Sequence, residues 1–290
     1  MIHASLQAFS SHCARQPLGK GPFAIVIAED ATELASTLDH LTHLGFCRIF
    51  LLAPDDVDLP DHLADPDLID VIRHPTRRPG TAQAAVNMLI RLAPGQWLHY
   101  CYNAEYLFFP FCEQRRVGEA IAFVMEERRS SVLGYVVDLY AEDLSHHPNA
   151  VSLESAHLDS SGYYAETRRN TDDDVLDRQL NFFGGLRWRF EEHVPEAKRR
   201  IDRPALFQAV EGLQLREDNT LSIEEMNTYS CPWHHSLSAA ICSFRVAKAL
   251  RTNPGSRHDI DNFRWHKSTR FYWSSRQLME LGLMEPGQWF

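Results

Sequence analysis

From Trp97 to Pro110 the chain reads Trp-Leu-His-Tyr-Cys-Tyr-Asn-Ala-Glu-Tyr-Leu-Phe-Phe-Pro, an apolar strand that brings one carboxylate, Glu105, to its end and then turns. In open α/β sheets ligands bind in the crevice outside the carboxyl ends of the strands, so Glu105 is a candidate contact. Asp138 closes a second apolar run, residues 131–140, where a carboxylate can take a proton from a hydroxyl or simply cap a turn. Glu105 can play the same base role. Arg77 and Arg78 precede a helix start, where guanidinium and backbone N–H groups can share a phosphate; an ordinary solvated pair is the alternative. Cys231, His234 and His235 are zinc-ligand types without the paired spacings that zinc sites use, and His235 reads equally as a hydrogen-bonded core histidine. The run Asp172-Asp173-Asp174 reads as a solvated loop, because adjacent loop residues seldom converge on one ion. Trp265, Phe271, Tyr272 and Trp273 can stack on a sugar, but their spacing suits core packing on a helix.

The elements that must position these residues alternate. Residues 23–28 form a continuous apolar run followed by Glu29-Asp30, as in a strand covered on both faces. Apolar residues at 34, 38, 41 and 44 predict a helix over 32–44, stopped by Gly45. Residues 47–53 predict a second strand ending in Pro54-Asp55-Asp56, and 68–73 a third. Pro79-Gly80 then breaks the chain, and Thr81 is placed to cap a helix to Leu92. A fourth strand starts at Trp97, and a helix over 117–128 leads to the strand over 131–140. Such alternation predicts parallel pairing through right-handed crossovers, a Rossmann-like sheet. No Gly-x-Gly-x-x-Gly follows the first strand, so a dinucleotide fingerprint is absent. Residues 142–178 are polar and turn-rich, and read as an insertion or loop outside the core.

The 290 residues, 44% of them hydrophobic, suffice for a sizeable core. A net charge of −10 argues against general nucleic-acid binding, which needs clustered Lys and Arg. The six cysteines show no Cys-x-x-Cys spacing and sit mostly in apolar runs, as in a reduced, cytoplasmic protein. No window approaches the ~20 apolar residues that span a bilayer, and no secretory leader is evident.

Several pieces occur in an order that resembles family 2-type glycosyltransferases of the GT-A fold, in the bacterial branch with an Asp-x-Asp-Glu-Phe-Leu segment after a Trp-led strand. Gln83 to Asn87 ahead of Trp97, Glu105-Tyr-Leu, Asp138-Leu-Tyr140, Gly184-Gly-Leu-Arg187, Arg203-Pro-Ala-Leu, and His235 followed by Cys242-Ser-Phe-Arg245 carry the resemblance. It implies an α/β, GT-A-like mixed sheet flanked by helices and extended by C-terminal helices. One domain is expected, with a nucleotide-binding half near 20–140, an acceptor half near 141–250 and helices over 251–290. The resemblance further implies a nucleotide-sugar donor and a glycan or surface-polysaccharide acceptor. Glu29, Asp55, Asp56, Arg78 and Gln83 would contact the nucleotide, and Asp138 or Glu105 would act as base. In the family, Mg²⁺ or Mn²⁺ neutralises the leaving diphosphate. Here Tyr102 and Ala104 stand where its two aspartates belong, unless Asn103-Ala-Glu105 replaces them in a shifted register. Three accounts follow: Glu105 holds the metal with His235, a metal-independent enzyme uses Arg or Lys, or an inactive domain has kept binding alone. A small-molecule enzyme of another α/β class is disfavoured by the missing phosphate-loop signatures.

Overall fold

The structure is a computed structural model that describes residues 1–59, 67–229 and 236–289. In chain order its elements are β1 (Ile2–His3), α1 (Leu6–Arg15), β2 (Phe23–Ile27), α2 (Leu34–Leu44), β3 (Arg48–Ala53), β4 (Ile69–Arg73), α3 (Thr81–Leu92), β5 (Trp97–Tyr102), β6 (Glu105–Phe108), α4 (Val117–Glu126), β7 (Ser131–Ala141), β8 (Ala156–Asp159), β9 (Tyr163–Arg169), β10 (Val175–Gly184), α5 (Gly185–Arg189), β11 (Asp202–Gln208), β12 (Ala239–Ser243), α6 (Arg245–Thr252), β13 (Ser268–Arg270) and α7 (Ser275–Glu280). They form two compact units. The first comprises Met1–Tyr106, Gln114–Val132 and Pro204–Asn227, and the second Leu107–Glu113, Leu133–Arg203 and Thr228–Phe290.

In the first unit the strand order is β1-β4-β3-β2-β5-β11, parallel from β1 to β5 and antiparallel where β11 joins. This is the α/β sheet flanked by helices that the alternating pattern predicts. Every residue of β2 is buried, which explains its unbroken apolar run. Phe23, Ile25 and Ile27 share a core with Phe50, Leu52, Leu98 and Tyr100 of the neighbouring strands and with Phe9 of α1 and Val86 and Leu89 of α3. Helix α2 buries Leu34, Leu38, Leu41 and Leu44 at the predicted spacing, and Gly45, at φ 90°, donates its N–H to the carbonyls of Leu41 and Thr42. The helix starts two residues later than predicted. Asp30 Oδ1 takes the Thr32 N–H and Glu33 adopts φ 51°, so residues 30–33 form a turn. Thr81 is the first residue of α3, not its cap. Gly80 holds the cap position at φ 79°, and Thr81 Oγ1 donates to the Arg78 carbonyl.

In the second unit β12 pairs β7 in parallel, β7 pairs β8 antiparallel, and β8 pairs β13 antiparallel. Gly134 faces Ala239 across the β7–β12 pair, where an added Cβ would stand 2.2 Å from the Ala239 carbonyl oxygen; no other residue fits. Tyr140, Leu186, Ala247, Leu250, Ile260 and Phe263 belong to its core. Strands β9 and β10 form a two-stranded sheet of their own.

Three expectations need correction. Residues 142–178 are not all loop: they contain β8, buried throughout, all of β9 and the start of β10. The strand from Trp97 does not carry on to Glu105; it ends at Tyr102, and Ala104, at φ 61°, turns the chain into β6. Phe271, Tyr272 and Trp273 lie between β13 and α7 rather than on a helix, with Phe271 and Trp273 packed on each other and Tyr272 67% exposed.

Candidate functional site

In the first unit the chain runs outward from β2 through β3 to β4 and then returns to β5 on the other side of β2. That reversal makes a switch point between β2 and β5, the position at the carboxyl edge where open α/β sheets bind their ligands. Ala28, Glu29 and Asp30 follow β2, and Asn103 follows β5. Asn103 is fully buried and ties the two loops together. Its Oδ1 accepts the Glu29 N–H at 2.9 Å, and its Nδ2 donates to Asp30 Oδ1 and to the Thr32 carbonyl, both at 2.8 Å.

The loop after β4 closes the same edge. Thr76 Oγ1 donates to the Ala28 carbonyl, and Arg77 reaches across with Nε to the Glu29 carbonyl and Nη1 to Asp56 Oδ2, both at 2.7 Å. Arg73 Nη1 donates to the Pro54 carbonyl at 2.9 Å, which holds the turn carrying Asp55 and Asp56. Asp55 and Arg78 are exposed, and Gln83 lies half-buried in the first turn of α3. Hydrogen bonding from Arg77 holds the Asp56 carboxyl below its ordinary range. Burial, then the Arg78 charge, pushes the His74 imidazole down and favours its neutral form. The structure therefore links Glu29, Asp56 and Arg77 directly. Thr76 joins them without a distinctive sequence signal, whereas Asp30 stands in the sequence as a carboxylate after the first strand and Asn103 as part of Asn103-Ala-Glu105.

Glu105 is placed differently. It is 1% exposed, and its Oε2 accepts the Tyr102 N–H at 2.9 Å, which closes the turn between β5 and β6. The next residue, Tyr106, meets Ser36 Oγ through its hydroxyl at 2.8 Å. The described residues do not fit the divalent cation of the resemblance. Tyr102 and Ala104 offer no carboxylate, Asn103 is engaged as above, and among the described residues no group of three His, Cys, Asp or Glu side chains converges. His235 lies outside the described residues.

In the second unit Asp138, on β7, is 1% exposed. Its Oδ2 accepts the Leu186 N–H at 2.9 Å, while its Oδ1 has no hydrogen-bond partner among the described residues. Burial pushes the carboxyl up to about 6, against the pull of Arg187 and with a smaller push from Asp159. Asp159, at the end of β8, is saturated. It receives the Tyr140 hydroxyl at 2.6 Å, Trp265 Nε1 at 2.8 Å and Arg189 Nη1 at 3.0 and 3.1 Å. Arg189 also donates to the Phe263 carbonyl at 2.6 Å, so this buried pair is a structural cross-link. The acidic run forms the tip between β9 and β10, where Asn170 Oδ1 accepts the N–H groups of Asp172 and Asp174.

Among the described residues no helix is long and apolar enough to cross a membrane. No family model and no curated protein matches this sequence. Among solved structures, the chain is similar to TarS of S. aureus, residues 1–349, with 11% identity over 70% of this chain and a TM-score of 0.33; it spans about half (52%) of that structure's length.

Proposed function

We propose that the first unit binds the nucleotide of a nucleotide-sugar and that the chain is a glycosyltransferase acting on a glycan or surface-polysaccharide acceptor. The observation that supports this most is the switch point between β2 and β5, with Glu29, Asp30, Asn103, Asp56 and Arg77 drawn to one edge. In this proposal Glu29, Asp55 and Asp56 accept hydrogen bonds from the ribose diol or the base, which suits carboxylates. Arg77, Arg78 and the first turn of α3, with Gln83, face the diphosphate, and the guanidinium charge takes the place of a cation as the leaving group departs. Asp138 is the proposed general base for the acceptor hydroxyl, its pKa of about 6 lying close to neutral.

A second proposal, a domain that binds nucleotide without transfer, is favoured by Glu105, whose carboxylate is folded into its own turn. One experiment addresses both. UDP, GDP, CMP and dTDP are titrated calorimetrically, each with Mn²⁺ and with EDTA, into the wild type and Arg77→Ala, and the matching nucleotide-sugars are assayed for turnover. Binding that persists in EDTA and weakens in Arg77→Ala supports the site, and turnover then separates enzyme from binding domain. If none of the four nucleotides binds, the nucleotide site is wrong.

A further inference from the structure

The misfit with a divalent cation comes down to one atom at the end of β5. Asn103 is fully buried, and the sense of its side-chain hydrogen bonds is fixed by its partners. The Glu29 N–H, at 2.9 Å, can only donate, so the side-chain atom facing it is the oxygen. The Thr32 carbonyl, at 2.8 Å, can only accept, so the atom facing it is the nitrogen. The second hydrogen of that nitrogen goes to Asp30 Oδ1, also at 2.8 Å, an oxygen that takes the Thr32 N–H at 2.9 Å as well.

The oxygens around the nitrogen are the kinds a hard cation takes, a carboxylate and a backbone carbonyl. Their spacing suits one too. Adjacent oxygens around an octahedral Mg²⁺ stand about 3 Å apart, and a carboxylate at position 103, the same shape as the amide, would place an oxygen 2.8 Å from each of the two. Asp30 and Thr32 are half-buried, within reach of an ion from solvent. With nitrogen in that place, its two hydrogens are directed at the oxygens that would share the ion. The amide oxygen, turned to the Glu29 N–H, does not face them.

We infer that Asn103 is the residue that keeps divalent cations off this edge, a nitrogen standing where a cation site needs an oxygen. This role rests on the nucleotide site proposed for the same edge and adds the residue that makes it independent of metal. Positive charge there comes instead from Arg77, whose Nε donates to the carbonyl of the same Glu29 whose N–H Asn103 holds.

The test compares the wild type with Asn103→Asp, Asn103→Ala and the double variant Asn103→Asp/Asp30→Asn, all as the full chain. Melting is followed in EDTA and in millimolar Mn²⁺, and Mn²⁺ binding is read by electron paramagnetic resonance. The wild type and Asn103→Ala are expected to melt alike in the two media. Asn103→Asp sets two carboxylates against each other, so it is expected to melt below the wild type in EDTA and to recover with Mn²⁺. It is also expected to bind Mn²⁺ at least about tenfold tighter than the wild type, and the double variant to lose that gain. The inference is overturned if Asn103→Asp gains no more from Mn²⁺ than the wild type does, or stays unfolded with it. It is equally overturned if Asn103→Ala or the double variant responds as Asn103→Asp does, which places the ion elsewhere. The nucleotide titrations keep this role and the nucleotide site apart. Wild-type nucleotide binding that requires Mn²⁺ removes the role of Asn103 and keeps the site. Failure of every nucleotide to bind, with Mn²⁺ binding gained by Asn103→Asp, removes the site and keeps the exclusion of cations.

Discussion

Asp138→Asn is expected to stabilise the protein at neutral pH and to leave it unchanged in acid. The carboxyl sits at about 6 in the folded chain against an ordinary 3.8, so between those values the folded state binds more protons than the unfolded one. Stability from this group is therefore full below about pH 4, falls as pH rises toward 6, and stays low above that. The gap, at about 1.4 kcal/mol per pH unit, amounts to about 3 kcal/mol. An asparagine keeps an oxygen for the Leu186 N–H and has no charge to bury, so it escapes the loss. The assay is urea unfolding of both proteins from pH 4 to pH 8. Acid effects from other carboxyls appear in both and cancel in the difference. The expected difference is near zero at pH 4 and grows to about 3 kcal/mol in favour of Asp138→Asn by pH 7. A difference that stays flat with pH, or a wild type that is the more stable at pH 7, refutes the reasoning.

Asn103→Ala removes three hydrogen bonds at a fully buried position and is expected to cost about 2–3 kcal/mol in urea unfolding; a loss under about 0.5 kcal/mol would mean the tie between β2 and β5 is not held there. Gly134→Ala puts a methyl group into the Ala239 carbonyl and is expected to cost about 3 kcal/mol or more, read by urea unfolding. Arg77→Ala breaks an exposed pair, so stability is expected to move by less than about 0.5 kcal/mol, while the Asp56 carboxyl rises toward its ordinary range in an NMR titration.

The first unit was legible because its strands are buried on both faces and its helices carry one clean stripe. The runs at 23–28 and 47–53, the 34-38-41-44 spacing and Gly45 all follow from that geometry. The second unit was less so. Strand β8 carries His157 and Asp159, whose burial depends on partners far along the chain, Arg189 and Trp265 for Asp159 among them, so its local composition reads as loop. The turn at Ala104 was hidden for a related reason. An alanine at φ 61° has no sequence signature, and it is held by the Glu105 carboxylate on the Tyr102 N–H and by Thr37 Oγ1 on its own N–H. Asp138 and Arg77 were visible by type and position, whereas what each touches, α5 for Asp138 and the loops after β2 and β3 for Arg77, is far along the chain and not registered by the sequence.

Strand β5 lies inside its sheet, bonded to β2 along its length and to β11 at Trp97 and Leu98, and Leu98, His99, Tyr100 and Cys101 are all but inaccessible. Its amides belong to the part of a fold that opens only with global unfolding, so they are expected to be among the last to exchange with deuterium. The loop that carries Asn103 springs from that slow-exchanging strand. The nucleotide proposed for this edge would meet groups already ordered before it binds, and little of its interaction energy would be diverted into fixing the backbone.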